Sequence, residues 1–326
     1  MKITMAHGSG GKSSAELMKT VFGKYFKNDI LDKMEDAAVL EINGKIAFST
    51  DSFVVTPTVF RGGNIGKLAV CGTVNDLLMM GAKPLYLTSA YILEEGLDSE
   101  LLETCAASMA ETAAAAGVKI VAGDTKVVEG NGGLMINTTG IGVIPADRDI
   151  SAANLKEGDA ILVSGFLGDH HACILSHRMN LDNQIESDCA PLNDIVDALF
   201  ENGIRVKAMR DITRGGLGTM LNELANTSHC GIEIAEKDIP VREEVRGFCG
   251  ILGLDPLYMG NEGKMLAVVH GEDAEKALAV MKETCHGKDA VLLGHVTAGN
   301  GVVMKTHLGG KRVVDMLYGE GLPRIC

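Results

Sequence analysis

Five aspartates sit where apolar stretches give out, in "MEDAAVL", "FSTDSF", "TVNDLLMMGA", "VAGDTKVV" and "MRDITRGGLG" (Asp36, Asp51, Asp76, Asp124 and Asp211). Such positions read as strand ends or turns, so the chain is expected to alternate buried segments with polar edges. Around them the segments take turns in character. "KIAFSTDSFVV" and "PLYLTSAYIL" read as strands, and between them "GGNIGKLAVCGTVNDLLMMGA" recurs at helical spacing. "DSELLETCAASMAETAAAAG" is an amphipathic helix that should stop at Gly117, and the strand-like "VKIVAGDTKVV" and "LMINTTGIGVI" complete a block near residue 150.

A polar stretch, "PADRDISAANLKEGD", follows, and "AILVSG" then opens a second series. That series includes the helices "RGGLGTMLNELANTS" and "EDAEKALAVMKETC" and the strands "AVLLGHVT" and "GVVMKTH", expected to pair with each other. The reading is an α/β (α+β) chain of two domains, residues 1–150 and 151–316, with the tail 317–326 beyond them. Its 326 residues, 40 of them glycine, suit two packed domains with many tight turns.

Several carboxylates converging at one edge suit Mg²⁺, which takes oxygen ligands and usually bridges to substrate phosphates. Each acid taken singly also has a structural explanation, as a cap or a turn residue. A net charge of −13 without clustered Lys and Arg argues against binding nucleic acid. No apolar run approaches the roughly 20 residues of a membrane span, and "MKITMAHGSGG" lacks a signal peptide's apolar core, so a cytoplasmic protein is expected.

"AHGSGGKSS" is similar to the end of a phosphate-binding loop, but Ala6 stands where that motif wants Gly. It reads instead as a mobile arm that becomes ordered over a ligand. His170, His171 and His177 in "LGDHHACILSH" lack a matching acidic or cysteine cluster and are expected to be structural or exposed. None of the eight cysteines forms a CxxC pair, and most internal ones lie among apolar neighbours as small hydrophobes. Cys326, in "LYGEGLPRIC", is the exception.

Taken in order, "EDAAV", "STDSF", "VNDLLMMGAKP", "GDTKVV" and "DITRGGLG" resemble the ATP-binding superfamily of aminoimidazole ribonucleotide synthetase, selenophosphate synthetase and thiamine-monophosphate kinase. Within it, "GGNIGKLAVCGTVNDLLMMGAKP", "ILEEGL", "VAGDTKVV", "GNEGKM" and "PRIC" resemble the HypE family of hydrogenase maturation factors over essentially the whole chain. No cysteine stands in the Gly-rich arm, which removes the nucleophile of selenophosphate synthetase; a small-molecule kinase or synthetase of the superfamily is the alternative.

The resemblance implies an N-terminal domain that closes a β-barrel with its copy in a homodimer, and ATP in a cleft between domains. Carried over by position, Asp36, Asp76 and Asp211 would hold Mg²⁺ and phosphate, with Thr50, Asp51 and Asp124 lining the same cleft and Lys12 reaching in from the arm. It further implies that Cys326 receives a carbamoyl group from the HypF carbamoyltransferase and is dehydrated with ATP to a thiocyanate. Glu262 and Lys126 are the candidate bases, and a HypC–HypD complex is the acceptor on which cyanide becomes an iron ligand of [NiFe] hydrogenase. About ten residues from Leu317 could span up to roughly 35 Å and swing Cys326 between the ATP site and a partner.

Overall fold

The structure, a computed structural model, describes residues 2–8, 11–33, 37–316 and 326, with the backbone alone at 11 and 12. Asp36, the Lys12 side chain and tail residues 317–325 therefore lie outside the described residues. The start of the chain is anchored ahead of the Gly-rich segment. Ile3 is fully buried, donates to the Leu97 carbonyl at 2.8 Å and accepts from Gly96 at 2.9 Å. Helix α1 (Gly11–Leu17) then runs through a π-helical stretch (Met18–Phe22) into a single turn, α2 (Gly23–Tyr25). Phe22 fixes this segment to the body by packing on Tyr91, with ring centroids 4.6 Å apart.

Strand β1 (Lys45–Phe53) leads through a short hairpin, β2 (Val59–Phe60) and β3 (Gly63–Asn64), into helix α3 (Ile65–Met79). Asn64 caps that helix by accepting from the Gly66 and Lys67 amides at 2.9 and 3.1 Å. Strand β4 (Lys83–Glu94), helix α4 (Ser99–Ala115), β5 (Lys119–Val128) and β6 (Leu134–Ile144) complete the unit. Asp98 caps α4, and Gly117, at φ +70°, turns the chain out of it as expected from the sequence.

The four long strands form a sheet in the order β1-β6-β4-β5, antiparallel except for β4 with β5. Helices α3 and α4 cover one face. In β1 the two-residue period turns Ala47, Ser49, Asp51 and Phe53 towards α3, and leaves Ile46, Phe48, Thr50 and Ser52 on the uncovered face. Register carries that division across the sheet: Thr50 lies in one row with Thr139, Thr88 and Ala122, and Ser52 in one row with Asn137, Ala90 and Asp124.

The second unit contains β7 (Ala160–Val163), α5 (Asp169–Arg178), α6 (Asn193–Glu201), β8 (Val206–Asp211), α7 (Gly216–Ser228), β9 (Gly231–Ala235) and α8 (Glu243–Leu252). It ends with β10 (Met265–Val269), α9 (Ala274–Lys282), β11 (Val291–Thr297), β12 (Gly301–Lys305) and β13 (Lys311–Val313). The sheet order is β13-β12-β9-β11-β7-β10-β8. The expected pairing of β11 with β12 is wrong. Strand β9 lies between them, antiparallel to β11 and parallel to β12, and Ile232 and Ile234 on it are buried. The link 298–300 thus steps over a strand, which the shortness of the link concealed.

Strands β7 and β10 are buried on both faces, which explains their continuous apolar runs "AILV" and "MLAVV". Leu162, Ala267 and Val269 join a core that includes α5, α6 and α9 and continues into α3 of the first unit. Ile161, Val163, Leu266 and Val268 pack on the other side with α7. Because α3 is enclosed from all sides, it is apolar around nearly its whole circumference.

Candidate active site

Three acids meet where α3, β1 and β8 come together. Asp51 points from β1 towards α3, which approaches closely because Gly72 has no side chain; a Cβ there would stand 2.7 Å from the Phe53 ring. One turn further along α3, Asp76 accepts from Ser49 Oγ at 2.6 Å. Asp211 ends β8. Desolvation, with a smaller push from Asp51, raises the Asp76 pKa. Asp211 is pushed up to about 7 by desolvation first, then by Asp76 and Asp51. The acids therefore carry more negative charge than the fold balances. A cavity of about 550 Å³ opens beside them, lined by Ser49, Asp76, Asp211, Lys45, Arg148 and Arg210.

Glu262 lies in the loop before β10 and is 4% exposed. Its amide donates to Asp188 Oδ1 at 3.1 Å, and its carbonyl accepts from the Ala190 amide at 3.4 Å and Asn75 Nδ2 at 3.5 Å. Asn75 comes from α3 and also grips Ala190 and Leu192, so the first unit holds the loop of the second. Burial drives the Glu262 pKa well above the usual carboxylate range, with further pushes from Cys189, Asp211, Asp188 and Asp51. Cys326 is partly buried beside it. Desolvation and then Glu262 push the thiol up to about 11, while a hydrogen bond from Arg214 pulls the other way. Arg214 precedes a tight turn that only glycine fits. Gly215 and Gly216 follow it at φ +83° and +63°, and a Cβ on Gly216 would stand 2.5 Å from the Tyr258 backbone.

The AIR synthase related protein N-terminal domain matches residues 34–144, and the corresponding C-terminal domain matches residues 156–307. The carbamoyl dehydratase HypE of Rhodobacter capsulatus is 48% identical over 100% of this chain and 98% of its own. The chain belongs to the HypE family. A crystal structure of hydrogenase maturation protein HypE in complex with ATP superposes with a TM-score of 0.95 at 47% identity, covering 99% of each chain. One from a HypE–HypF complex gives 0.82 at 48% identity, covering 92% of this chain and 99% of that one.

In this member of the HypE family, the residues expected to line one cleft are divided between two faces of a sheet. Asp51, Asp76, Asp211, Glu262 and Cys326 are neighbours. Thr50, Asp124 and Lys126 are not: strand alternation puts them on the uncovered face, away from Asp51. Thr50 Oγ1 donates to the Thr138 carbonyl at 3.1 Å and accepts from Thr139 Oγ1 at 3.0 Å. Lys126 pairs with Asp124 at 2.8 Å, which holds the Asp124 carboxyl below its ordinary pKa. Of the two expected bases, only Glu262 stands beside Cys326 in the protomer.

The expectation that all five acids lie at segment ends holds for Asp211 alone among the four described. Asp51 and Asp124 are inside strands and Asp76 is in the last turn of a helix. The histidines are structural. His170 Nδ1 lies 2.7 Å from Ser187 Oγ, and His171 accepts from the Gly260 amide at 3.2 Å, its pKa pushed down to about 4 by burial. His177 accepts from the Arg61 amide at 3.3 Å. Sequence reading missed Arg214, Asn75 and Asp188. "TRGG" directly after Asp211 was a usable signal for the first, since paired glycines mark a turn beside it.

Among the described residues, no three of His, Cys, Asp and Glu are grouped so as to hold a metal by themselves, and no helix is long and apolar enough to cross a membrane. Buried, mutually repelling oxygen donors nevertheless fit Mg²⁺, which is usually held by one or two carboxylates together with substrate phosphates.

Proposed function

We propose that the protein is an ATP-dependent carbamoyl dehydratase of [NiFe] hydrogenase maturation, which converts an S-carbamoyl group on its own Cys326 into a thiocyanate, releasing ADP and phosphate. One observation carries this reading: the Cys326 thiol lies beside a buried glutamate, and both neighbour an acid cluster suited to phosphoryl transfer. A small-molecule kinase has no use for a thiol in that place.

The carbamoyl oxygen is a poor leaving group until it accepts the γ-phosphoryl group of ATP. The nitrogen loses one proton as that C–O–P linkage forms. Loss of the second N–H proton then expels phosphate and leaves S–C≡N, so the sum is carbamoyl-cysteine plus ATP giving thiocyanate, ADP and phosphate. Glu262 takes a nitrogen proton, standing beside the sulfur that bears the carbamoyl group. Arg214, which donates to the sulfur, orients the carbamoyl group towards the phosphoryl donor. Asp76 and Asp211, with Asp36, would hold Mg²⁺, which supplies charge stabilisation at the phosphoryl oxygens. Asp51 lies in the same acid cluster, and Lys12 is assigned to phosphate.

Two copies are proposed to close a barrel through the uncovered face of β1-β6-β4-β5, where Ile46, Phe48 and Ile92 are 49%, 64% and 43% exposed. Thr50, Asp124 and Lys126 then face the second copy. A HypF-type carbamoyltransferase is the proposed source of the carbamoyl group, in keeping with the HypE–HypF complex of the relative. A HypC–HypD type complex is the proposed cyanide acceptor.

Intact mass spectrometry after incubation with the carbamoyltransferase and its substrates tests the reading. The expected result is a carbamoyl adduct that loses one water only when Mg-ATP is added, and that is absent in Cys326→Ala. An unmodified Cys326 in the presence of an active transferase overturns it, and ATP turnover on small-molecule acceptors would then identify the kinase.

A further inference from the structure

Glu262 has to be held still, and its own side chain offers no described hydrogen bond that does so. Its backbone is fixed instead by a carboxylate from another segment. Asp188 Oδ1 accepts the Glu262 amide at 3.1 Å, while Oδ2 lies 3.7 Å from Lys264 Nζ, so one carboxylate spans the residues on either side of Gly263. The clamp is enclosed: the Asp188 and Lys264 side chains are 3% and 12% exposed. Gly263 is pressed against it so closely that a Cβ would stand 1.9 Å from the Asp188 carbonyl oxygen.

The segment carrying Asp188 is itself fastened to the first unit. Ser187 donates its amide to the Arg61 carbonyl at 2.9 Å, and Asn75 binds Ala190 and Leu192. Asp188 thus adds a side-chain tie at the Glu262 amide to the bond that Asn75 of α3, the helix bearing Asp76, makes to the Glu262 carbonyl.

We infer that Asp188 is a positioning residue for the dehydration step, setting the Glu262 carboxylate relative to the acids of α3 and β8 through its hydrogen bond to the Glu262 amide. This rests on Glu262 being the base. Asp188 does not touch the reacting group; Glu262 is faced by Cys189 and Asp188 from the loop, Asp211 from β8, Asp51 from β1 and Cys326 from the tail.

The test is single-turnover conversion of carbamoyl-Cys326 to thiocyanate, followed by mass, in Asp188→Ala, Asp188→Asn and Glu262→Ala. A misplaced base costs on the order of 10²-fold in rate, and that loss is expected in Asp188→Ala, with carbamoyl loading of Cys326 and Mg-ATP affinity unchanged. Asp188→Asn keeps an oxygen for the Glu262 amide and is expected to recover most of the lost rate. Asp188→Ser, too short to span the bond yet still polar, replaces the alanine variant if that one does not fold. Wild-type conversion in Asp188→Ala or Ser, or an equal loss in Asp188→Asn, overturns the inference. Wild-type conversion in Glu262→Ala is a different result: it removes Glu262 as the base, whatever Asp188 does.

Discussion

Asp211 is held in a place that its charge disfavours. Its pKa in the fold, about 7, lies above the ordinary 3.8, so the folded protein binds the proton more tightly than the unfolded chain does. Stability from this group is complete below the ordinary value and is lost as pH rises through about 7. Asp211→Asn removes the repulsion with Asp76 and Asp51. In the absence of nucleotide it is expected to stabilise the protein at pH 8 by on the order of 2–4 kcal/mol, with little effect at pH 4, while abolishing ATP-dependent dehydration. Thermal melts at the two pH values, alongside the mass assay, check this. Arg214 invites a second comparison. Removing its hydrogen bond in Arg214→Met should raise the Cys326 pKa further and slow alkylation of that thiol by iodoacetamide at pH 8, read by peptide mass against the exposed Cys285.

Among elements, those with one face against the core declared themselves in the sequence. β1, β4, β5, β6 and α4 were visible because alternation or helical spacing follows directly from burial. What stayed hidden depends on contacts remote in sequence. The insertion of β9 between β11 and β12 leaves no local mark, and Asp188 looks like any loop acid until Glu262 is placed above it. The division of Thr50 from Asp51 was present in the two-residue period, but family position spoke for a single cleft and strand geometry spoke against it. The turn before α7 makes a sharper test of an element. Gly216→Ala combines a disfavoured φ of +63° with a Cβ 2.5 Å from the Tyr258 backbone, and should cost about 2–4 kcal/mol in urea melts. Because that turn directly follows Arg214, dehydration should fall in the fraction that remains folded.

At the scale of the molecule, two units share one core through α3, so they are expected to unfold together rather than in two stages. The uncovered sheet face provides the assembly test. Phe48→Asp places a charge in the middle of that face and is expected to shift the protein from about twice its 34.4 kDa chain mass to a monomer in light scattering. A wild-type mass near 34.4 kDa would remove the shared barrel from the account. The seat of Cys326 has a consequence beyond the reaction itself. A thiol with a pKa near 11 is almost entirely protonated at neutral pH, and it is the thiolate that oxidants and stray electrophiles attack. Beside Glu262 the free thiol is therefore kept chemically quiet towards such reagents.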